Sequence, residues 1–210
     1  MKLNKLLRGI SYSGYIVPEN LDIKNIAYDS RLVNNQSCFV AIKGERFDGH
    51  NFIFEALKRG AKIIVIDDEK FIDKNFPIIK VESTRKALSK ISRHFFSNPS
   101  KLMKVAGITG TNGKTSVAQI MKYILNSLGN KCGTIGTLGF SFDGNISSTN
   151  LTTPESLELH GMLRALLDNG INYSALEVSS HSLEQNRVDD IDFNVTIFTN
   201  LTHDHLDYHK

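Results

Sequence analysis

At 210 residues the chain has room for one large or two modest domains, each with a buried core. Its 40% hydrophobic and 22% charged content is that of a soluble globular protein, and a dispersed net charge of +3 supplies no basic stripe for nucleic acid. No apolar run reaches the length of a membrane span and the N-terminus carries no signal-peptide pattern, so a cytoplasmic location is expected.

The first half reads as a small α/β unit. Strands are expected over 23–28, 37–42, 61–66 and 77–81, with helices over 51–59 and 84–96. The second helix sets Leu88, Ile91 and Phe95 on one face. Cys38 lies in this half and Cys132 in the next. So wide a separation gives neither a disulfide framework nor zinc spacing, and both are expected as buried thiols in a reducing compartment. Ser97-Asn98-Pro99-Ser100 is a cluster of breakers, and it places a boundary between a domain 1–98 and a domain 99–210.

The second half alternates strand and helix, which argues for an open, mostly parallel sheet. A strand over 102–108 leads to a helix whose apolar positions Val117, Ile120, Met121, Ile124, Leu125 and Leu128 recur at helical spacing before Gly129. Short strands follow over 131–135 and 139–142. A helix then opens at Pro154 with Leu159, Met162, Leu163, Leu166 and Leu167 facing inward, and Asn169-Gly170 closes it. The runs 172–178 and 193–199 are apolar enough for strands inside a covered parallel sheet.

Between the strand and the first of these helices lies Gly107-Ile108-Thr109-Gly110-Thr111-Asn112-Gly113-Lys114-Thr115-Ser116. Glycines let the backbone curl so that its N–H groups converge on an anion, and the helix N-terminus adds partial positive charge. Lys114 suits β- and γ-phosphate oxygens, and the Thr115 hydroxyl suits Mg2+. The pattern departs from Gly-x-x-x-x-Gly-Lys-[Ser/Thr] in one respect: Ile108 stands five before Gly113, and the leading glycine is Gly107. A nucleoside triphosphate is the expected ligand.

Five further groups carry chemistry. Thr152-Thr153-Pro154-Glu155 opens a helix, either as a Thr cap with Pro in the first turn or as a second phosphate site. Glu177 ends an apolar strand at the edge where open α/β sheets bind ligands, and it is placed to share a Mg2+ with Thr115. Gln185-Asn186-Arg187 adds amide donors and a cation. The run from Asn200 to His209 holds His203, Asp204, His205, Asp207 and His209; its His-x-His-x-Asp resembles metallo-β-lactamases, but Tyr208 stands where they need histidine. In the first half, Tyr28-Asp29-Ser30-Arg31 and the segment from Lys43 to His50 each follow a strand and form a candidate nucleotide pocket.

These motifs together resemble the Mur ligases, and within them the tripeptide-forming MurE type. The carriers are Asp29-Ser30-Arg31, Asp48-Gly49-His50, the loop ending at Ser116, Thr152-Thr153-Pro154, Glu177-Val178-Ser179-Ser180-His181 and the Asn200 to His209 run. The resemblance implies an ATP-dependent amide ligase of peptidoglycan synthesis that joins a diamino acid to UDP-MurNAc-L-Ala-D-Glu through an acyl phosphate, with meso-diaminopimelate favoured over L-lysine and a monomeric enzyme. Its counterparts here make Gly110, Thr111, Asn112, Gly113, Lys114, Thr115 and Ser116 the ATP-binding residues. Thr115, Glu177 and His205 become metal ligands, and Lys114, Glu177 and His205 the catalytic set. Ser30, with Tyr28, Glu45, Arg46 and Phe47, would meet the uridine diphosphate end, and Thr152, Thr153, Ser179, Gln185 and Arg187 the muramoyl-dipeptide. Leu151 replaces an Asn common in the family. Members also carry a third domain and a carbamylated lysine beyond this stretch, so the 210 residues are expected to be an N-terminal part unable to complete ligation alone. A non-catalytic nucleotide-binding module and a metal-dependent hydrolase built on His203, His205 and Asp207 are the alternatives.

Overall fold

The computed structural model describes residues 1–14, 17, 20–44 and 47–202. The chain divides into two compact units, Met1–Phe95 and Phe96–Lys210.

The first unit opens with α1 (Leu3–Leu6) and β1 (Ser13–Gly14), neither of which the sequence pattern announces. It continues through β2 (Asn25–Ala27), β3 (Ser37–Val40), α2 (Ile53–Lys58), β4 (Ala61–Ile66), β5 (Ile78–Lys80) and α3 (Thr84–Phe95). The five strands lie in the order β1-β5-β4-β3-β2, parallel except for β1 against β5. Every residue of β3 and all of β4 but Lys62 are buried, as expected where both faces of a parallel sheet are covered. Phe39, Ile64, Ile66 and Ile78 pack with Ala56 of α2 into one core. Asp67, just past β4, receives the Thr84 N–H at 2.9 Å and its hydroxyl at 2.8 Å, setting a carboxylate on the N-terminus of α3.

The second unit contains β6 (Lys104–Thr109), α4 (Lys114–Ser127), β7 (Cys132–Gly136), β8 (Gly139–Phe142), β9 (Asn145–Ser147), α5 (Ser156–Asp168), β10 (Tyr173–Glu177), α6 (Ser180–Glu184) and β11 (Val195–Phe198). Its six strands run β11-β6-β10-β7-β8-β9; the first four are mutually parallel, and β8 and β9 add an antiparallel meander. Alternate residues serve opposite faces: Ile108 and Ala175 meet Ala118 of α4, while Val105 and Leu176 meet Leu159, Leu163 and Leu166 of α5.

Three expectations need correction. Of the apolar positions on α4, Val117, Met121 and Leu125 pack inward, whereas Ile120, Ile124 and Leu128 are exposed. Helical spacing alone does not separate the packed positions from the exposed ones. β11 lies at one end of the strand order among the described residues, pairing there with β6 alone, and Val195 and Phe198 are exposed. An apolar run records strand preference but not whether the strand is central. The Thr cap of α5 is also absent. Glu155 occupies the cap position but its side chain does not cap the helix, and the Thr153 hydroxyl is committed to the end of β10.

Both cysteines are free and buried. Burial pushes the Cys38 thiol up to about 12 and the Cys132 thiol to about 11, so almost no thiolate is present near neutrality. A disulfide reagent at pH 8 should therefore leave both native thiols unmodified and titrate both after denaturation. Rapid modification of either native thiol would contradict this packing.

Candidate functional site

β6 delivers the chain to the loop at Thr109, and Gly110 turns it with φ +128°. A side chain at Gly110 would be strained by that angle and would also meet Thr199 Oγ1 at 2.2 Å. Gly113, at φ +89°, caps α4, whose first-turn amides have no intrahelical acceptor and point out of the helix N-terminus. The Lys114 ammonium bridges the carbonyls of Gly110 at 2.7 Å and Thr111 at 2.9 Å, which draws the loop into a tight ring around it. Thr115 and Ser116 occupy the same first turn.

Glu177 is brought to this loop by register. Parallel pairing sets it opposite Ile108, so the C-terminal end of β10 lies beside the start of the loop. Its carboxylate is 2% exposed and accepts three bonds: the Thr115 hydroxyl at 2.8 Å, the Thr137 hydroxyl at 3.1 Å and the Thr137 N–H at 3.0 Å. Thr137 was not singled out by the sequence; its only signal is a position just past β7, the other neighbour of β10. Gly136 was missed as well. A Cβ there would fall 2.0 Å from Glu177 Oε1, so the carboxylate occupies the space of the missing side chain.

The expected dipeptide-binding set also gathers at this edge. Thr152 Oγ1 lies 3.2 Å from Thr137 Oγ1. Thr153 Oγ1 donates to the Glu177 carbonyl at 2.8 Å and accepts the Ser179 N–H at 3.0 Å, stapling the turn before α5 to the turn after β10. Ser179 caps α6 through the Ser182 N–H. Arg187 is 7% exposed: its guanidinium donates to the Thr153 carbonyl at 2.7 Å and to Gln185 Oε1 at 2.6 Å, and lies 3.2 Å from Glu155. It therefore orders this turn.

In the first unit, Ser30 is buried and donates to Glu55 Oε2 of α2 at 3.1 Å, Tyr28 is partly buried beside it in sequence, and Phe47 is 71% exposed. Lys43 and Asp48 form an isolated antiparallel bridge. His50 is buried, with Nδ1 2.6 Å from Asp48 Oδ1, Nε2 accepting the Asp67 N–H at 3.3 Å, and its ring stacked on Phe71. Burial opposes ionisation of Asp48, but hydrogen bonds from His50 hold its carboxyl below the ordinary value. Glu45 and Arg46, and the histidine run with His203, His205 and Asp207, lie outside the described residues. Among the described residues no cluster of three or more His, Cys, Asp or Glu is arranged for a metal, and no helix is long and apolar enough to cross a membrane.

The substitution Gly136→Ala would push Glu177 off its donors, and a buried polar group left without partners costs about 1–3 kcal/mol, more when charged. The urea midpoint should fall accordingly with unchanged slope. An unaltered midpoint would show that the carboxylate relocates freely.

Comparison with known proteins then fixes the family. The family model described as Mur ligase middle domain matches residues 108–210, and that described as Mur ligase family, catalytic domain, matches residues 22–96. The UDP-N-acetylmuramoyl-L-alanyl-D-glutamate–2,6-diaminopimelate ligase of Clostridium perfringens (strain 13 / Type A) is 45% identical over 210 residues, covering 100% of this chain and 43% of its own. A solved structure of a ligase with the same description superposes with a TM-score of 0.81 at 22% identity, over 100% of this chain and 42% of its own, and speaks to fold alone. The MurF ligase of Thermotoga maritima in complex with ADP gives a TM-score of 0.58 at 25% identity, over 84% of this chain and 37% of its own. The chain thus spans less than half the length of each of these proteins. It belongs to the Mur ligase family, of which it carries N-terminal and middle domains.

Proposed function

We propose that this chain supplies the ATP-binding and UDP-sugar-binding parts of a cytoplasmic ligase that joins 2,6-diaminopimelate to UDP-MurNAc-L-Ala-D-Glu. The observation that carries the reading is the 2.8 Å bond between Thr115, in the first turn after the glycine loop, and the buried Glu177 carboxylate. The named activity of the Clostridium perfringens relative supports the choice of substrate and amino acid.

The donor set fits Mg2+. A hydroxyl and a carboxylate oxygen converge at the C-terminal edge of parallel strands, next to outward-facing amides, and hard oxygen donors are what that ion prefers. Thr115 and Glu177 would hold it, and when bound it would neutralise charge on the β- and γ-phosphate oxygens. The Gly113 amide, the amides of the first turn of α4 and Lys114 would hold the same oxygens from the protein side. A carboxylate oxygen of the substrate's D-glutamyl residue then attacks the γ-phosphorus, the bond to the β,γ-bridging oxygen breaks, and ADP leaves. The amine of the diamino acid attacks the resulting acyl phosphate and expels phosphate. No side chain of this chain becomes covalently attached, so its work is positioning and neutralisation. Tyr28, Ser30, Glu45, Arg46 and Phe47 are proposed to meet the uridine diphosphate end. Thr152, Thr153, Ser179, Gln185 and Arg187 are proposed for the dipeptide end, and His205 as a further metal ligand.

Titration calorimetry should show Mg2+-dependent ATP binding by the chain and separate binding of UDP-MurNAc-L-Ala-D-Glu. Lys114→Ala should weaken ATP about 10- to 100-fold, the worth of one charge-assisted contact, with the UDP-sugar affinity unchanged. Equal ATP affinity in that variant, or zinc bound in stoichiometric amount in place of Mg2+-ATP, would overturn the reading.

A further inference from the structure

The glycine loop is gripped from behind by the tail of β11. Thr111 N–H donates to the Asn200 carbonyl at 3.0 Å, and Asn112 N–H donates to Asn200 Oδ1 at 3.0 Å. The Asn112 carbonyl in turn accepts Asn200 Nδ2 at 3.0 Å and the Thr199 hydroxyl at 2.7 Å. One carboxamide therefore engages both main-chain groups of Asn112, and the carbonyl has both lone pairs occupied. Thr111 and Thr202 extend the contact, with the Thr202 N–H donating to Thr111 Oγ1 at 3.0 Å.

Peptide planarity turns these contacts into a direction. The carbonyls of Gly110 and Thr111 face the Lys114 ammonium, so the trans N–H groups of Thr111 and Asn112 face the opposite side, where Asn200 receives them. At Asn112 the pattern reverses: its carbonyl faces Asn200 and Thr199. The N–H of Gly113, trans to that carbonyl, must then face the Lys114 side. The peptide between residues 112 and 113 is flipped relative to its two predecessors, and the positive φ of Gly113 accommodates the flip. In the opposite orientation this peptide would present a carbonyl oxygen to the anion, a repulsive contact in place of a donor.

We propose that Asn200 and Thr199 are positioning residues of the phosphate loop: they hold the peptide between Asn112 and Gly113 flipped, so that the Gly113 N–H joins the Lys114 ammonium on the phosphate side. The proposal rests on the nucleotide reading above. It gives the β11 tail a part in the ATP site that does not require either side chain to touch the ligand.

The test is Mg2+-ATP titration of the chain with four variants. Asn200→Ala removes a donor and an acceptor and should weaken ATP about five- to tenfold, the effect of one or two hydrogen bonds on a pre-set loop. Asn200→Asp keeps the acceptor for Asn112 N–H but cannot donate to the Asn112 carbonyl, and should bind no better than Asn200→Ala. Thr199→Val should weaken ATP about threefold, whereas Thr199→Ser, which keeps the hydroxyl, should restore wild-type affinity. In 15N-labelled protein the Gly113 amide should shift strongly on adding Mg2+-ATP to wild type and weakly in Asn200→Ala. The affinity for UDP-MurNAc-L-Ala-D-Glu should stay unchanged in all four, which separates loss of the loop's conformation from misfolding of the chain. Wild-type ATP affinity in Asn200→Ala and Asn200→Asp would overturn this proposal while leaving the nucleotide reading intact. Failure of the wild-type chain to bind Mg2+-ATP would overturn both.

Discussion

The pairing of β6 with β10, in the register that sets Glu177 opposite Ile108, is the constraint on which the site depends. The two strands are almost seventy residues apart in sequence, and only parallel alignment brings their C-terminal ends to one edge. A slip of one residue would turn the Glu177 side chain to the opposite face of the sheet and carry Ala175 and Leu176 off the helices they pack against. The apolar faces of the sheet therefore enforce the polar geometry at its rim. Core and site are specified by the same alternation.

Much of this could be read from residues alone. The loop and the strand-ending Glu177 are local signals: each needs only its own residue types and a neighbouring strand, and the structure brings Thr115 and Glu177 into contact. Helices α3, α4 and α5 follow from apolar spacing. What escaped the pattern is non-local. Gly136 looks like any strand-end glycine until Glu177 is seen filling its missing Cβ. Thr153 has the sequence context of a helix cap, but tertiary contact with β10 takes its hydroxyl first. Asn200 gave no sign of its grip on Asn112, because a side chain reading a backbone about ninety residues away leaves no periodicity. The two-residue β1 and the short α1 fall below the length at which any period can be counted.

The first unit solves a similar problem with different parts. Its loops also leave the C-terminal ends of parallel strands, where ligands of open α/β sheets collect. Instead of a glycine ring it uses a buried imidazole. His50 ties Asp48 to the residue after β4, and Asp67 passes the linkage on to the first turn of α3. Ser30 is anchored on α2 through Glu55. Ser30 and Asp48 are thus both fixed to the scaffold. Phe47, one residue before Asp48, is exposed to solvent.

The lysine of the glycine loop has a consequence of its own. Its ammonium already donates to two carbonyl oxygens of the same loop, so an arriving molecule competes with the protein's own backbone for that cation. A neutral hydroxyl or amide offers nothing better than what it displaces. A dianionic oxygen cluster does, because hydrogen bonds to an ionised acceptor are roughly twice as strong as neutral ones. The ring of carbonyls therefore acts as a threshold: sugars and bases exchange like for like, and only a highly charged terminus gains by prising the lysine away.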